Sequence, residues 1–251
     1  MKLRALRRAV ALGWVLAICI AAYWRMRLRG PLALEQRALW LQTSSRRVLA
    51  KLGVHTRVYG DLPTRGLVVS NHLSYLDILI ISAVMPCFFV SKSEIGSWPY
   101  FGAAARLCGT IFLVRTSRTS AEKVAVEMEQ RLALPIPVLL FPEGTSTNGS
   151  RVLRFHSRLI QPAVTASAPI TSAALRYNID GGAAERELCW YGDAAFLPHL
   201  WKTLGTSGFW AELRFGTPRV YLERREATRE THAEVVAMRV EGARHSEHRE
   251  A

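Results

Sequence analysis

The sequence predicts an α/β domain, a central mixed sheet flanked by helices, with a membrane-associating helical segment at its N-terminus. Three observations carry that prediction. Short apolar, β-rich runs alternate with helical periodicity from Gly53 onward. A charge-free run of 16 residues, Ala9 to Trp24, stands near the start with basic residues on both sides. The composition is globular, with 49% hydrophobic and 21% charged residues among 251, enough for one sizeable domain.

The N-terminal run follows Lys2, Arg4, Arg7 and Arg8 and precedes Arg25, Arg27 and Arg29. A perpendicular helix needs about 20 apolar residues to cross the hydrocarbon core, so this run is slightly short. A secretory signal would end on small residues; this one ends on Tyr23-Trp24-Arg25, an interfacial anchor pattern. Residues 1–30 are therefore expected to form a retained membrane anchor helix. Basic residues at both ends leave its orientation undetermined. After a turn at Gly30-Pro31, residues 31–53 carry Leu34, Ala38, Leu41, Ser45, Val48 and Leu52 in alternating steps of four and three, the stripe of an amphipathic helix. An interfacial helix and a helix packed on the domain satisfy that pattern equally.

Residues 54–241 are expected to be the globular domain, followed by a polar, frayed tail at 242–251. Strands are expected at 54–59 and 67–70, separated by the Gly60 to Gly66 turn cluster, then at 87–90, 109–114, 138–141, 170–177, 209–215 and 219–222. Residues 77–85 are apolar enough for a buried helix. Thr119-Ser-Ala-Glu122 is a capping-box pattern ahead of Val124, Ala125, Met128 and Leu132, which predicts another.

Lys and Arg outnumber Asp and Glu by 33 to 20, a net charge of +13 that calls for an acidic partner. Basic residues bracketing an apolar segment point to lipid headgroups. Zinc-finger spacings and RNA-binding signatures are absent from the sequence, so no nucleic-acid partner is expected. Cys19, Cys87, Cys108 and Cys189 are scattered without a CxxC pair, which argues against a metal site or a disulfide framework and suits reduced thiols in a cytosolic compartment.

Two stretches carry candidate chemistry. In Val68-Val-Ser-Asn-His-Leu-Ser-Tyr-Leu-Asp77 a strand runs into Asn71-His72 and a helix begins near Ser74. Functional groups in α/β sheets gather at strand carboxyl ends, where His72 falls. Asp77, five residues on, cannot share a straight helix face with it. The two meet only if His72 lies in the turn and Asp77 reaches back from the first helical turns. The carboxylate then fixes one imidazole nitrogen and leaves the other as a base for a hydroxyl, a triad whose serine is replaced by the substrate's alcohol. By itself such a pair is as readily structural. Phe141-Pro-Glu-Gly-Thr-Ser146 also follows a strand. Its Gly144, Thr145 and Ser146 suit an anion- or polyol-binding turn, and equally an ordinary loop.

Together these stretches resemble the glycerolipid acyltransferase family, whose best-known members acylate 1-acylglycerol-3-phosphate. The family's Asn-His-x-x-x-x-Asp motif stands as Asn71, His72 and Asp77, its Gly-x-x-Phe-x-x-Arg strand as Gly109, Phe112 and Arg115, and its Phe-Pro-Glu-Gly-Thr motif as Phe141 to Thr145. Pro169 to Ala174 is the counterpart of its looser fourth strand, and the similarity covers about residues 54 to 222. The resemblance implies that His72 is the general base, that Asp77 orients it, and that Asn71, Arg115, Glu143, Gly144 and Thr145 bind the acceptor. It further implies no bound cofactor and no metal, an acyl thioester donor on coenzyme A or acyl carrier protein, and a lysolipid acceptor. That acceptor is expected to be 1-acyl-sn-glycerol-3-phosphate, giving phosphatidic acid. Val114 departs from the polar or acidic residue usual before the motif arginine, which puts the headgroup network around Arg115 in doubt. Glu143 to Gly149 and Trp190-Tyr-Gly-Asp193 are similar to a bacterial subgroup that includes lyso-ornithine lipid acyltransferases, the alternative acceptor class. The location implied is a bacterial inner membrane, with the catalytic domain on the cytoplasmic side. A hydrolase using Ser70 or Ser74 lacks a Gly-x-Ser-x-Gly elbow, and a non-catalytic lipid-binding protein would not need all three polar motifs.

Overall fold

The structure, a computed structural model, describes residues 2–97, 101–113, 118–178 and 185–250. In chain order its elements are α1 (Lys2–Arg27), α2 (Leu34–Leu52), β1 (Val54–Tyr59), β2 (Leu67–Ser70), α3 (Leu76–Val84), β3 (Phe88–Lys92), α4 (Ser93–Gly96), α5 (Phe101–Leu107) and β4 (Ile111–Leu113). There follow α6 (Arg118–Leu132), β5 (Val138–Leu140), α7 (Gln161–Thr165), β6 (Ile170–Asn178), α8 (Phe196–Gly205), β7 (Phe209–Phe215) and α9 (Arg224–Glu250). Among the described residues the strands form one seven-stranded sheet of order β1-β7-β6-β2-β5-β3-β4. The five strands from β6 to β4 are mutually parallel, while β1 and β7, parallel to each other, run antiparallel to β6. The expected mixed sheet flanked by helices is the one observed. Its central strands are near-continuous apolar runs because both faces are covered. Val68, Leu73, Leu76 and Leu175 face a layer that includes α1 and α2. Leu67, Val69 and Leu140 face α6, α7 and α9.

Flanking arginines extend α1 beyond the charge-free run to 26 residues, about 39 Å at 1.5 Å per residue. Among the described residues it is the one helix long and apolar enough to cross a membrane. Ala5, Val15, Cys19 and Tyr23 are buried on one side, whereas Leu3, Leu6, Val10 and Trp14 stand exposed on the other. The indole of Trp40 on α2 donates to the Cys19 carbonyl at 2.9 Å, tying the two helices together. Of the two readings of α2, the packed one holds. Ala38, Leu41, Ser45, Val48 and Leu52 are buried, and Arg46 Nε donates to the Ala83 carbonyl at the end of α3 at 2.7 Å. Gly53 ends α2 at φ 70°, its amide donating to Leu49 O, a left-handed cap that glycine adopts without penalty.

Several expectations need correction. Residues 219–222 form no strand; Arg219 makes a single antiparallel bridge to Ile170. From Ala173 onward that edge of β6 is occupied by β7, which leaves only Ile170 to pair. The strand expected at 109–114 starts only at Ile111, because Gly109, at φ 77°, is still in the turn that follows α5; Val114 lies outside the described residues. The tail is not frayed in backbone terms, since α9 continues to Glu250. Gly242, where the polar tail was expected to begin, is a close-approach residue: a Cβ there would lie 3.0 Å from Arg176 Cδ, so the helix passes over β6 without a side chain at that point. The capping-box segment is helical as expected, with Val124, Met128 and Leu132 buried. All four cysteines are buried free thiols, and burial pushes Cys108 up to about 12 and raises Cys87 and Cys189 as well.

Candidate active site

Three neighbouring parallel strands, β6, β2 and β5, deliver their carboxyl ends to one place. Past the end of β2 the chain turns through Asn71 to Tyr75 before α3 begins. This turn brings His72 and Asp77 together across the awkward five-residue spacing. His72 Nδ1 lies 2.6 Å from Asp77 Oδ2, which also accepts the amides of Leu73 at 2.7 Å and Ser74 at 3.1 Å. The same carboxylate is thus the N-terminal brace of α3 and the partner of the imidazole. Its other oxygen accepts the hydroxyl of Tyr177, from the carboxyl end of β6. Asp77 is fully buried and His72 is partly exposed, so a substrate reaches only the imidazole.

The β5 turn completes the surround. Phe141 stacks on the His72 ring with centroids 4.1 Å apart and planes 15° from parallel. Glu143 Oε1 accepts the His72 amide at 2.8 Å, Glu143 Oε2 accepts the Leu153 amide at 2.7 Å, and Thr147 N donates to His72 O at 2.9 Å. Burial raises the Glu143 carboxyl above its ordinary range, against the lowering effect of those two amides and of His72. Gly144, at φ 69°, lets the chain reverse there, and its amide returns to Phe141 O at 3.1 Å. Asn71 is buried and grips Leu175 on β6, accepting its amide at 2.8 Å and donating to its carbonyl at 3.1 Å.

His72, Asp77, Asn71, Glu143, Gly144 and Thr145 are therefore brought together. Arg115 lies outside the described residues. The side-chain hydrogen bonds of Asn71 and Glu143 go to backbone groups, whereas Thr145 is exposed beside the imidazole turn. The amides of the His72 turn are engaged, His72 N by Glu143 and Leu73 N and Ser74 N by Asp77, and so are not free to serve as oxyanion donors.

Sequence reasoning missed Tyr177, Glu185 and Arg239. Arg239 on α9 holds Glu185 through two nitrogens at 2.8 and 2.9 Å and donates to the Leu175 carbonyl. Glu185 accepts the Tyr177 amide at 2.8 Å. These contacts set the end of β6 so that the Tyr177 hydroxyl meets Asp77. Burial and the neighbouring Asp77 raise the Tyr177 phenol well above its ordinary value, so it stays a donor. A Tyr ending an apolar strand run was the only local signal, and it does not reveal a contact made 100 residues away. Tyr177→Phe is expected to destabilise the fold by about 1–3 kcal/mol, since a buried carboxylate oxygen loses this donor. It is also expected to lower kcat/KM, because Asp77 loses the hydroxyl that fixes its carboxylate against His72. Thermal unfolding and kcat/KM check the two effects.

The fold and site together define an α/β enzyme with an imidazole–carboxylate pair at the carboxyl edge of its sheet. Residues 54–176 match the family model described as Acyltransferase. The chain is 35% identical to the lyso-ornithine lipid O-acyltransferase of Pseudomonas aeruginosa over 79% of its own length and 78% of the relative's. It is also 35% identical to the 1-acyl-sn-glycerol-3-phosphate acyltransferase of Neisseria meningitidis serogroup B, over 62% of each chain. The crystal structure of the 1-acyl-sn-glycerophosphate acyltransferase PlsC from Thermotoga maritima has the same fold, with a TM-score of 0.70 over 96% of both chains at 17% identity. The chain belongs to the acyltransferase family and is an enzyme of that kind.

Proposed function

We propose that this enzyme transfers a fatty acyl group from a thioester, carried on coenzyme A or acyl carrier protein, to the hydroxyl of a lysolipid at a membrane surface. The observation that carries the reading is the His72–Asp77 contact, with Nδ1 facing a buried carboxylate and the rest of the ring partly exposed. In this reading Asp77 keeps the proton on Nδ1, and Nε2 takes the proton of the acceptor hydroxyl as its oxygen attacks the thioester carbonyl. The C–O bond forms, the tetrahedral oxyanion collapses, and the C–S bond breaks. The imidazolium then returns its proton to the departing thiolate. With the His72-turn amides engaged and the Gly144 amide returned to Phe141 O, the oxyanion donors are assigned to the amides of Thr145 and Ser146 that follow. No covalent enzyme intermediate is needed. The four thiols are buried, and burial raises Cys87, Cys108 and Cys189, so they are unsuited to be nucleophiles. Arg115 and Thr145 are assigned to the acceptor headgroup on the family pattern.

The exposed apolar stripe of α1, with Arg4, Arg7, Arg25, Arg27 and Arg29 also exposed, seats the domain on an anionic membrane. Free thiols fit the cytoplasmic side of a bacterial inner membrane. For the acceptor, the longer alignment with the Pseudomonas relative favours lyso-ornithine lipid. The equal identity to the Neisseria relative keeps 1-acyl-sn-glycerol-3-phosphate as the second reading. Purified enzyme presented with both lysolipids, each with acyl-CoA and with acyl carrier protein, is expected to convert one acceptor in preference to the other. Thioester cleavage that releases free fatty acid and is indifferent to either acceptor would sink the transferase reading.

A further inference from the structure

On α8, as on α1, large apolar side chains stand in the open. Leu197 is 72% exposed and Trp201 45%, one helical turn apart, close to the exposure of Trp14 on α1, 71%. The helix is held from two sides. Arg8 of α1 donates to the Thr206 carbonyl at 2.7 Å and the Ser207 carbonyl at 3.3 Å, just past the C-terminus of α8, where a cation is favoured. Leu200 and Leu204 face the protein in the same apolar layer as Ala9 and Leu12 of α1. The N-terminal half of α8 touches the turn that carries the imidazole. Phe196 and His199 pack edge-on to Tyr75, whose hydroxyl lies 3.1 Å from His199 Nδ1. Trp190 packs on Tyr75 as well, and its amide donates to the Leu73 carbonyl at 2.9 Å. Tyr75 lies between His72 and Asp77 in the chain, so α8 spans the distance from the apolar helix to the catalytic turn.

We propose that α8 is a second lipid-contacting element, whose Leu197 and Trp201 enter an anionic bilayer beside α1 and bring the lipid surface to the edge of the His72 site. The occupant is a lipid surface because α8 packs directly against α1, the helix apolar enough to cross a membrane, and the exposed charges on α1 are all basic. A lysolipid then reaches His72 from the membrane plane without passing through water. This inference rests on the reading of the enzyme as a lysolipid acyltransferase seated on the membrane by α1.

The four native thiols are buried, so a nitroxide can be placed on the full-length enzyme at Leu197→Cys, with Trp14→Cys as the reference on α1. On vesicles of phosphatidylglycerol and phosphatidylethanolamine, both labels are expected to gain accessibility to oxygen and lose it to a water-soluble nickel complex. A label lipid-exposed at position 14 and water-exposed at position 197 overturns the role of α8 alone; water exposure at both overturns the membrane seat too. Shielding at 197 from both reagents, independent of vesicles, would mean that a second copy covers α8, and overturns the proposal. In activity terms, Leu197→Ser with Trp201→Ser is expected to lose roughly tenfold or more in turnover of vesicle-embedded lysolipid for each residue. Turnover of a monomeric short-chain lysolipid is expected to be unchanged. Equal losses on both substrates would mean that the two side chains only support the fold, and overturn the assignment.

Discussion

Replacing His72 by alanine is expected to lower acyl transfer by about 10²–10⁴-fold, the range for removal of a general base. The fold should survive, because the side chain makes one hydrogen bond, to Asp77, and one ring contact, with Phe141. The backbone amide and carbonyl of residue 72, which hold Glu143 and Thr147, remain in the variant. Thermal unfolding and vesicle binding should therefore match wild type while turnover collapses. Turnover near the wild-type rate would refute the base assignment.

The companion substitution is Asp77→Asn, for which a loss of order 10²–10⁴-fold is expected. An amide oxygen can still accept the Leu73 and Ser74 amides, and its NH2 can face the Tyr177 hydroxyl, so the turn keeps its shape. What disappears is the negative charge that stabilises the imidazolium formed during transfer. Asp77→Ala differs in kind. It leaves Leu73 N, Ser74 N and the Tyr177 hydroxyl without their acceptor inside the protein, at about 1–3 kcal/mol for each group that stays unsatisfied. A normal Tm for the asparagine variant and a depressed one for the alanine variant, with both inactive, would separate catalysis from bracing. Full activity in either removes Asp77 from the mechanism.

Much of the sheet was legible because a strand buried on both faces has to be an unbroken apolar run between turn residues. Leu67–Ser70 coincides with its expected bounds for that reason, whereas Val54–Tyr59 and Phe209–Phe215, which carry charged residues, are bounded by Gly53 and Gly60 and by Gly208 and Gly216. The error at 219–222 has the complementary cause. A β-rich segment forms a strand only if a neighbour offers a free edge, and β7 had taken that edge of β6. Gly242 shows the same limit, since a glycine that opens a polar tail and one that lets a helix pass close over a strand are one letter in the sequence.

For the site, local order was enough to place His72 in a turn at a strand end and Asp77 in the first turn of the next helix, because chain geometry allows the pair to meet in no other way. The motifs were enough to identify the chemistry as acyl transfer. The surroundings of the pair belong to tertiary structure alone. Tyr177 approaches Asp77 from 100 residues away, Glu143 clasps the His72 amide from 71 away, and Arg239 sets the end of β6 from another helix. The choice for α2 between membrane and domain was likewise made by partners, the carbonyls at the end of α3 and the indole bond to α1. Hydrophobic period and turn chemistry act between residues near in sequence, so the chain states them directly. Hydrogen-bond satisfaction in a buried site acts between residues near in space, and only the order of strands in the sheet decides which those are.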